Sequence, residues 1–237
     1  PLQITVGVYG AGPELNRRLR PVPIPLTGGI LGLRVGWTNH RALPDLKTIQ
    51  SVEDLQRLVL VQGLGWSDVE IFDTAELRTY TARSENLLRL VNDLRVQLFP
   101  RGVAELQAED STVQSLFYPQ IVLDPYLLIV YPFAGFFSVA PDNTELADAL
   151  RIGFERAMAD GSYQRLVDES IMTPWLSRKL QLKSRRVLVL KNPDAAEALA
   201  EVDPNHWIVP WNELMSGRIT HGRDLCGFAG FKALCHD

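Results

Sequence analysis

The chain has 237 residues, 46% hydrophobic and 22% charged, with a formal net charge of −4, which suits one large globular domain or two modest ones. The slight acidic excess gives no general attraction to nucleic-acid phosphates or anionic membranes, so neither is expected as a partner. Membrane insertion is not expected either: the most apolar stretch, "YLLIVYPFAGFFSVA" (126–140), is interrupted by Pro132 and Gly135 and falls short of the ~18 apolar residues of a spanning helix.

In chain order, "LQITVGVYG" (2–10) reads as a strand. The prolines at 21, 23 and 25 exclude helix from the next stretch, and "GILGLRVGWTN" (29–39) reads as extended. Ser51 and Asp54 resemble a capping box before "VEDLQRLV", and "LVLVQGLG" is a strand ending in glycines. The unit then repeats. "EIFDTAELRTYTA" offers a helix or turn followed by a strand, Ser84 caps "ENLLRLVNDL", and "RVQLFP" (95–100) is a short strand before the helical "GVAELQAED".

Beyond the apolar stretch, Asn143-Thr144 caps the helix "ELADALRIGFERAMAD", whose Leu146, Leu150, Ala157 and Met158 lie near one face. Asp160-Gly161 stops that helix and Ser162 starts another. Gly161 takes the left-handed conformation that ends a helix, Ser162 caps the next and Tyr163 packs into the corner. "RRVLVL" (185–190) is a strand, and the segment from about 204 reads as irregular. Strands alternating with helices predict an α/β chain built on parallel strands. The extended segments at 29–39 and 126–140 bracket a complete run of βα units, which predicts a discontinuous first lobe (1–37 plus 130–203) and an inserted second lobe (38–129), followed by an irregular tail (204–237).

Two cysteines, Cys226 and Cys235, sit close together in that tail. In an exported protein they form a short-loop disulfide; in a cytosolic one they remain thiols. His221 and His236 flank them, but the spacing lacks the close ligand pairs of a metal site, so no metal and no cofactor is expected. The N-terminus shows no basic segment followed by an apolar one, as would also be true of an exported chain whose signal peptide has been removed.

"FFSVAPDNTELADALRIGFERAMADGSYQRLVDE" resembles the closing section of periplasmic solute-binding proteins of the amino-acid transporter type. "RPVPIPLTGGILGLRV", "SVEDLQRLVLVQGLGWSD", "LLRLVNDLRVQLFPRGVAEL" and "RRVLVLKNP" follow in order the patterns of a less characterised branch of that superfamily. The resemblance spans roughly residues 20–195. It implies a bilobed type 2 periplasmic-binding-protein-like fold with two crossover strands. The first lobe would be incomplete, because the family's first βαβ unit has no counterpart. It also implies a monomer in the periplasm or outside the cell, capturing a small polar, carboxylate-bearing solute such as an amino acid, with a membrane transporter or sensor as partner.

Carried onto this chain, the resemblance makes Arg17 the carboxylate clamp, with Arg18 as an alternative, and makes Gly65, Trp66, Ser67 and Asp68 the turn that presents helix-start amides to an anion. Arg101, at a strand-to-helix junction, is a third contact. Each residue has a plainer role: Arg17 in a solvated basic turn, Trp66 as a packing anchor, Ser67 and Asp68 as helix caps, Arg101 as the partner of Glu105. The family's usual Thr is missing before Arg17, and Gln97 stands where an Asp is usual. Two other functions compete with solute capture. One is a degenerate scaffold making protein contacts. The other is an enzyme using Asp68, Asp73 and Glu105 as acid and base, although no nucleophile, phosphate-loop or metal pattern accompanies them.

Overall fold

Two sheets of unequal size organise the chain. The computed structural model describes residues 4–9 and 18–235. In the smaller sheet, β9 (Ala134–Val139) lies between β1 (Ile4–Tyr9) and β2 (Arg20–Pro21), antiparallel to both.

The larger sheet contains β3 (Leu33–Asn39), β4 (Val59–Gly63), β5 (Arg78–Ala82), β6 (Leu98–Gly102), β8 (Leu127–Val130) and β10 (Arg186–Val189), in the order β10-β8-β3-β6-β4-β5, with β7 (Ile121–Leu123) also paired to β3. β4 is parallel to both β5 and β6, and β10 is parallel to β8, as the alternation of strands and helices predicts. The exception is β3, which runs antiparallel to β6, β7 and β8. Its first residues therefore lie beside the last residues of its neighbours: Arg34 is opposite Gly102, and Leu33 opposite Val130.

The strand partners bear on where one lobe would end and the next begin. β10, assigned by sequence to the first lobe, joins the larger sheet, and so does β3 from its first residue. Two crossovers, at 22–32 and 131–133, link this sheet to the smaller one. They touch: the Tyr131 amide donates to the Gly32 carbonyl at 3.1 Å, and a Cβ on Gly32 would come within 2.1 Å of the Tyr131 carbonyl oxygen. Only glycine allows that approach.

Strand alternation explains the layering, because successive side chains leave opposite faces. Leu60, Leu98, Ile129 and Leu188 point to one side, where they meet α1 (Leu43–Lys47), α2 (Val52–Leu55) and α3 (Asp68–Thr74) through Leu46, Leu55, Ile71 and Phe72. Val61, Phe99, Leu128 and Val187 point to the other, against α4 (Ser84–Asn92), α5 (Leu106–Ser115) and α8 (Pro174–Leu180). Both faces are covered, so the strands read as nearly continuous apolar runs.

α6 (Thr144–Ala159) starts as the sequence predicts, with the Asn143 side chain accepting from the Leu146 amide at 3.2 Å, and it packs Leu146 and Leu150 on Val139 of the smaller sheet and on Val22 just after it. Gly161 is left-handed, with φ of 76°, before α7 (Ser162–Ser170). The cap differs from expectation. Ser162 is the first helical residue, and it is the Asp160 carboxylate that accepts from the Ser162 amide, at 2.8 Å. Tyr163 fills the corner edge-on to Phe154.

The C-terminal segment is more ordered than expected. After α9 (Ala196–Glu201), the short helices α10 (Trp211–Met215) and α11 (Gly222–Leu225) and the 3-10 turn at Ala229–Leu234 place Trp211, Leu214, Leu225, Phe231 and Leu234 in the larger core. Cys226 and Cys235 form a disulfide that closes this segment. Its packing partners are distant in sequence, so no local periodicity announces them.

Candidate functional site

The carboxyl ends of β4, β6 and β8 and the start of β3 share one edge of the larger sheet, and charged side chains gather there. Two short chain segments supply most of them. After β4, a Gly-rich turn leads into α3; Gly65, with φ of 79°, makes that turn, and a Cβ placed on it would have open space around it. After β6, the chain turns at Gly102 into α5, whose N-cap is Glu105.

Arg34 is the hub. It is 3% exposed, its guanidinium bonds Asp68 at 3.0 Å and Glu105 at 3.4 Å, and it stacks over the rings of Tyr131 and Phe133 at 5.4 and 4.9 Å. Tyr131 donates its hydroxyl to the same Asp68 carboxylate. Burial alone would lower the Arg34 pKa, but Tyr131, Asp68 and Glu105 outweigh it and hold the guanidinium above its ordinary value. Burial drives the Tyr131 phenol well above its own ordinary value, so it remains a donor.

Arg101 forms the second half of the cluster. Its guanidinium pairs with both Glu105 and Glu109 and lies 4.7 Å from the Trp66 ring and 5.2 Å from the Phe99 ring, a range in which ring quadrupoles attract cations. Glu105 also accepts from the Gly102 amide at 2.9 Å, and Glu109 accepts from the Trp37 indole at 2.9 Å. Burial pushes the Glu109 carboxyl above its ordinary value, against the pull of Arg101 and Trp37.

The structure thus brings Trp66, Asp68 and Arg101 into one network, with Gly65 in the turn beside them. Ser67 is the N-cap of α3 but makes no side-chain capping bond. Arg17 lies outside the described residues. The plainer roles coexist with the site roles: Trp66 packs against Gly63 and Phe99, and Arg101 does pair with Glu105. Sequence reasoning missed Arg34, Glu109 and Tyr131. Arg34 stood within the quoted "ILGLRV" stretch, but its importance depends on β3 running against its neighbours.

Two surface grooves lie elsewhere. One of about 750 Å³ is lined by Met172, Ser177, Arg178, Gln181 and Leu234; the other, of about 600 Å³, is lined by Trp37, Val113, Phe117, Tyr118 and Trp175. Neither includes Trp66, Asp68 or Arg101. Among the described residues no group of acids, histidines and cysteines is arranged to hold a metal, and no helix is long and apolar enough to cross a membrane.

No protein-family profile and no curated protein matches the chain. Solved structures do. A protein from Wolinella succinogenes, assigned as the binding component of an ABC transporter and complexed with lysine, aligns at 14% identity over 73% of this chain and 72% of its own, with a TM-score of 0.53. An arginine third transport system periplasmic binding protein from Legionella pneumophila aligns at 13% identity over 71% of this chain and 72% of its own, with a TM-score of 0.52. The chain has the bilobed type 2 periplasmic-binding-protein fold. In that fold the carboxyl edge carrying Arg34, Asp68 and Arg101 is the end of the sheet where open α/β folds place their ligands.

Proposed function

We propose that this chain is a solute-binding receptor that captures a small polar, carboxylate-bearing solute, such as an amino acid, between its two lobes. The observation that carries the reading is the cluster at the carboxyl edge: two guanidiniums and three carboxylates in one network, with the partly exposed Trp66 indole against Arg101. Such a cluster offers donors, acceptors and a ring face to a zwitterion. The fold supports it, since the Wolinella protein holds lysine and the Legionella protein belongs to an arginine transport system.

The larger sheet, with β3 and β10, serves as one lobe and the smaller sheet as the other, with 22–32 and 131–133 as the crossovers. The ligand contacts are Arg101, Trp66, Asp68 and the turn through Gly65 and Ser67, with Arg17, outside the described residues, as a further candidate. Capture and release require no chemical step, so the protein is not an enzyme. It works as a monomer in the periplasm or outside the cell, and delivers its solute to a membrane transporter or reports it to a sensor. The Cys226–Cys235 disulfide fits that location.

One observation favours a second reading, a degenerate scaffold that makes protein contacts. Arg34 and Arg101 are already paired within the chain, and neither lines the two grooves described above. A thermal-shift screen of the purified chain against amino acids, organic acids and other polar metabolites separates the two. A solute at 100 times its dissociation constant adds about 2.7 kcal/mol to stability. A saturable rise in melting temperature with one chemical class supports the receptor; no rise across the panel supports the scaffold.

A further inference from the structure

The C-terminal segment, 204–235, lies beyond the stretch that carries the family resemblance, and it ties down the crossovers on which any lobe movement would turn. Its far end is fixed to the larger sheet. The Val187 amide of β10 donates to the Thr220 carbonyl at 2.9 Å, the Gly222 amide donates to the Arg185 carbonyl at 2.8 Å, and Phe231 and Leu234 are buried in the larger core. Its near end reaches the first crossover. The amides of Ile208 and Val209 both donate to the Gly28 carbonyl, at 2.9 and 3.0 Å, and a Cβ on Gly28 would come within 2.5 Å of the Ile208 side chain.

Trp207 carries the same segment onto the smaller sheet. It packs against Ala134 and Phe136 of β9 and against Val202, and meets Trp211 edge-on with ring centroids 6.3 Å apart. With Pro132 and Phe133 of the second crossover it lines a void of about 10 Å³, room for one water at most. The disulfide acts on these contacts at one remove. Cys226 and Cys235 close a loop whose Gly230 lies so near Ile208 that a Cβ there would come within 2.4 Å of its side chain. Contact thus runs from the disulfide loop to Ile208, and from Ile208 to Gly28 in the crossover.

We infer that 204–235 is a strap across the two crossovers, with the Cys226–Cys235 disulfide as its buckle: it holds the smaller sheet in one arrangement against the larger, and opening the disulfide frees the crossovers to flex. Hinges are short connecting segments that absorb backbone change. Here they are bonded by a segment that a covalent bridge keeps folded. Both cysteines are partly exposed, so a small dithiol can reach them. It passes two electrons and two protons to the disulfide, leaving two thiols, and is itself closed to a disulfide. The arrangement of the two sheets is therefore sensitive to thiol reductants, with or without a solute bound.

The test is hydrogen exchange on the full chain, comparing the unaltered protein with the double variant Cys226→Ser, Cys235→Ser and with Trp207→Ala, which loosens the strap without touching the disulfide. Leu87→Ala, at a buried position on α4, controls for a general loss of stability. Circular dichroism establishes that the variants are folded. Exchange at 22–32 and 131–133 should be about tenfold or more faster in both strap variants than in the control, since local opening no longer breaks the bonds to Gly28. Exchange in β4 and β6 should match the control. Dithiothreitol should reproduce the pattern in the unaltered protein and change nothing in the double variant. Crossovers that exchange no faster than in the control, in either folded variant, overturn the inference. So do crossovers that dithiothreitol leaves unchanged once thiol labelling shows Cys226 and Cys235 reduced.

Discussion

Two buried arginines sit at opposite edges of the same sheet, and their partners differ in kind. Arg185, fully buried just before β10, donates to the backbone carbonyls of Leu180 and Leu127, beside Asp124, whose carboxylate accepts from the amides of Tyr126 and Leu127. Arg34, at the carboxyl edge, bonds acidic side chains at the starts of two helices, and through Glu105 joins a network that reaches the surface. The electrostatics follow. Burial, only partly offset by Asp124, lowers the Arg185 pKa to about 10, whereas the surrounding acids hold Arg34 above its ordinary value. An arginine bonded to backbone and sealed in fixes the fold. An arginine held by acids that reach the surface marks the edge proposed for the solute.

The contrast can be broken most strongly at the sealed end. Arg185→Met leaves Asp124 as an uncompensated buried charge and should cost about 3–5 kcal/mol, read by urea unfolding; a loss below 1 kcal/mol would remove the structural role assigned to Arg185. Next in size is the double variant Cys226→Ser, Cys235→Ser. Opening that short loop should cost about 2–3 kcal/mol in the loop-entropy account, with tryptophan fluorescence reporting looser packing of the Trp211 segment. At the open end, Arg101→Ala should leave the chain folded but weaken solute binding about tenfold, the loss of a charge-assisted contact. Unchanged affinity would take Arg101 out of the site.

Two smaller effects sharpen the picture. Gly161→Ala forces a side chain into the left-handed region and should cost about 1 kcal/mol. The nearest atom to the added Cβ is 3.7 Å away, so the cost is conformational rather than steric. The smallest is a pH effect of Glu109. Its folded pKa lies above the unfolded value, so over the interval between the two the native state holds a proton that the unfolded state has released. Stability from this group is therefore present below pH 4.5, the ordinary value, and is lost as pH rises through the folded value. Glu109→Gln should flatten that part of the stability profile, read by thermal melts across the mildly acidic range.

Much of the fold was legible because its signals are local. The Asn143 cap, the left-handed Gly161 and the strands at 59–63 and 186–189 each follow from a few adjacent residues. The order and direction of strands did not. That β3 runs against its neighbours, and that β10 crosses back to β8, depends on packing between segments far apart in sequence. The same limit applied to the site. Trp66, Asp68 and Arg101 belong to quotable motifs, and so could be named as candidates from sequence. Arg34, Glu109 and Tyr131 join them only in three dimensions, over separations such as the 71 residues between Arg34 and Glu105. In the tail, short helices with scattered aromatics gave no periodic pattern, although they fill part of the core.

The most direct test of the central claim is hydrogen exchange on the full chain with and without a saturating solute from the screen. Protection should appear at the turn 63–68 and at 101–109, on the carboxyl edge, and the slow exchange around Arg185 should not change. Protection confined to the grooves at 113–123 or 172–184, with the carboxyl edge unchanged, would contradict the account and place binding elsewhere on the fold.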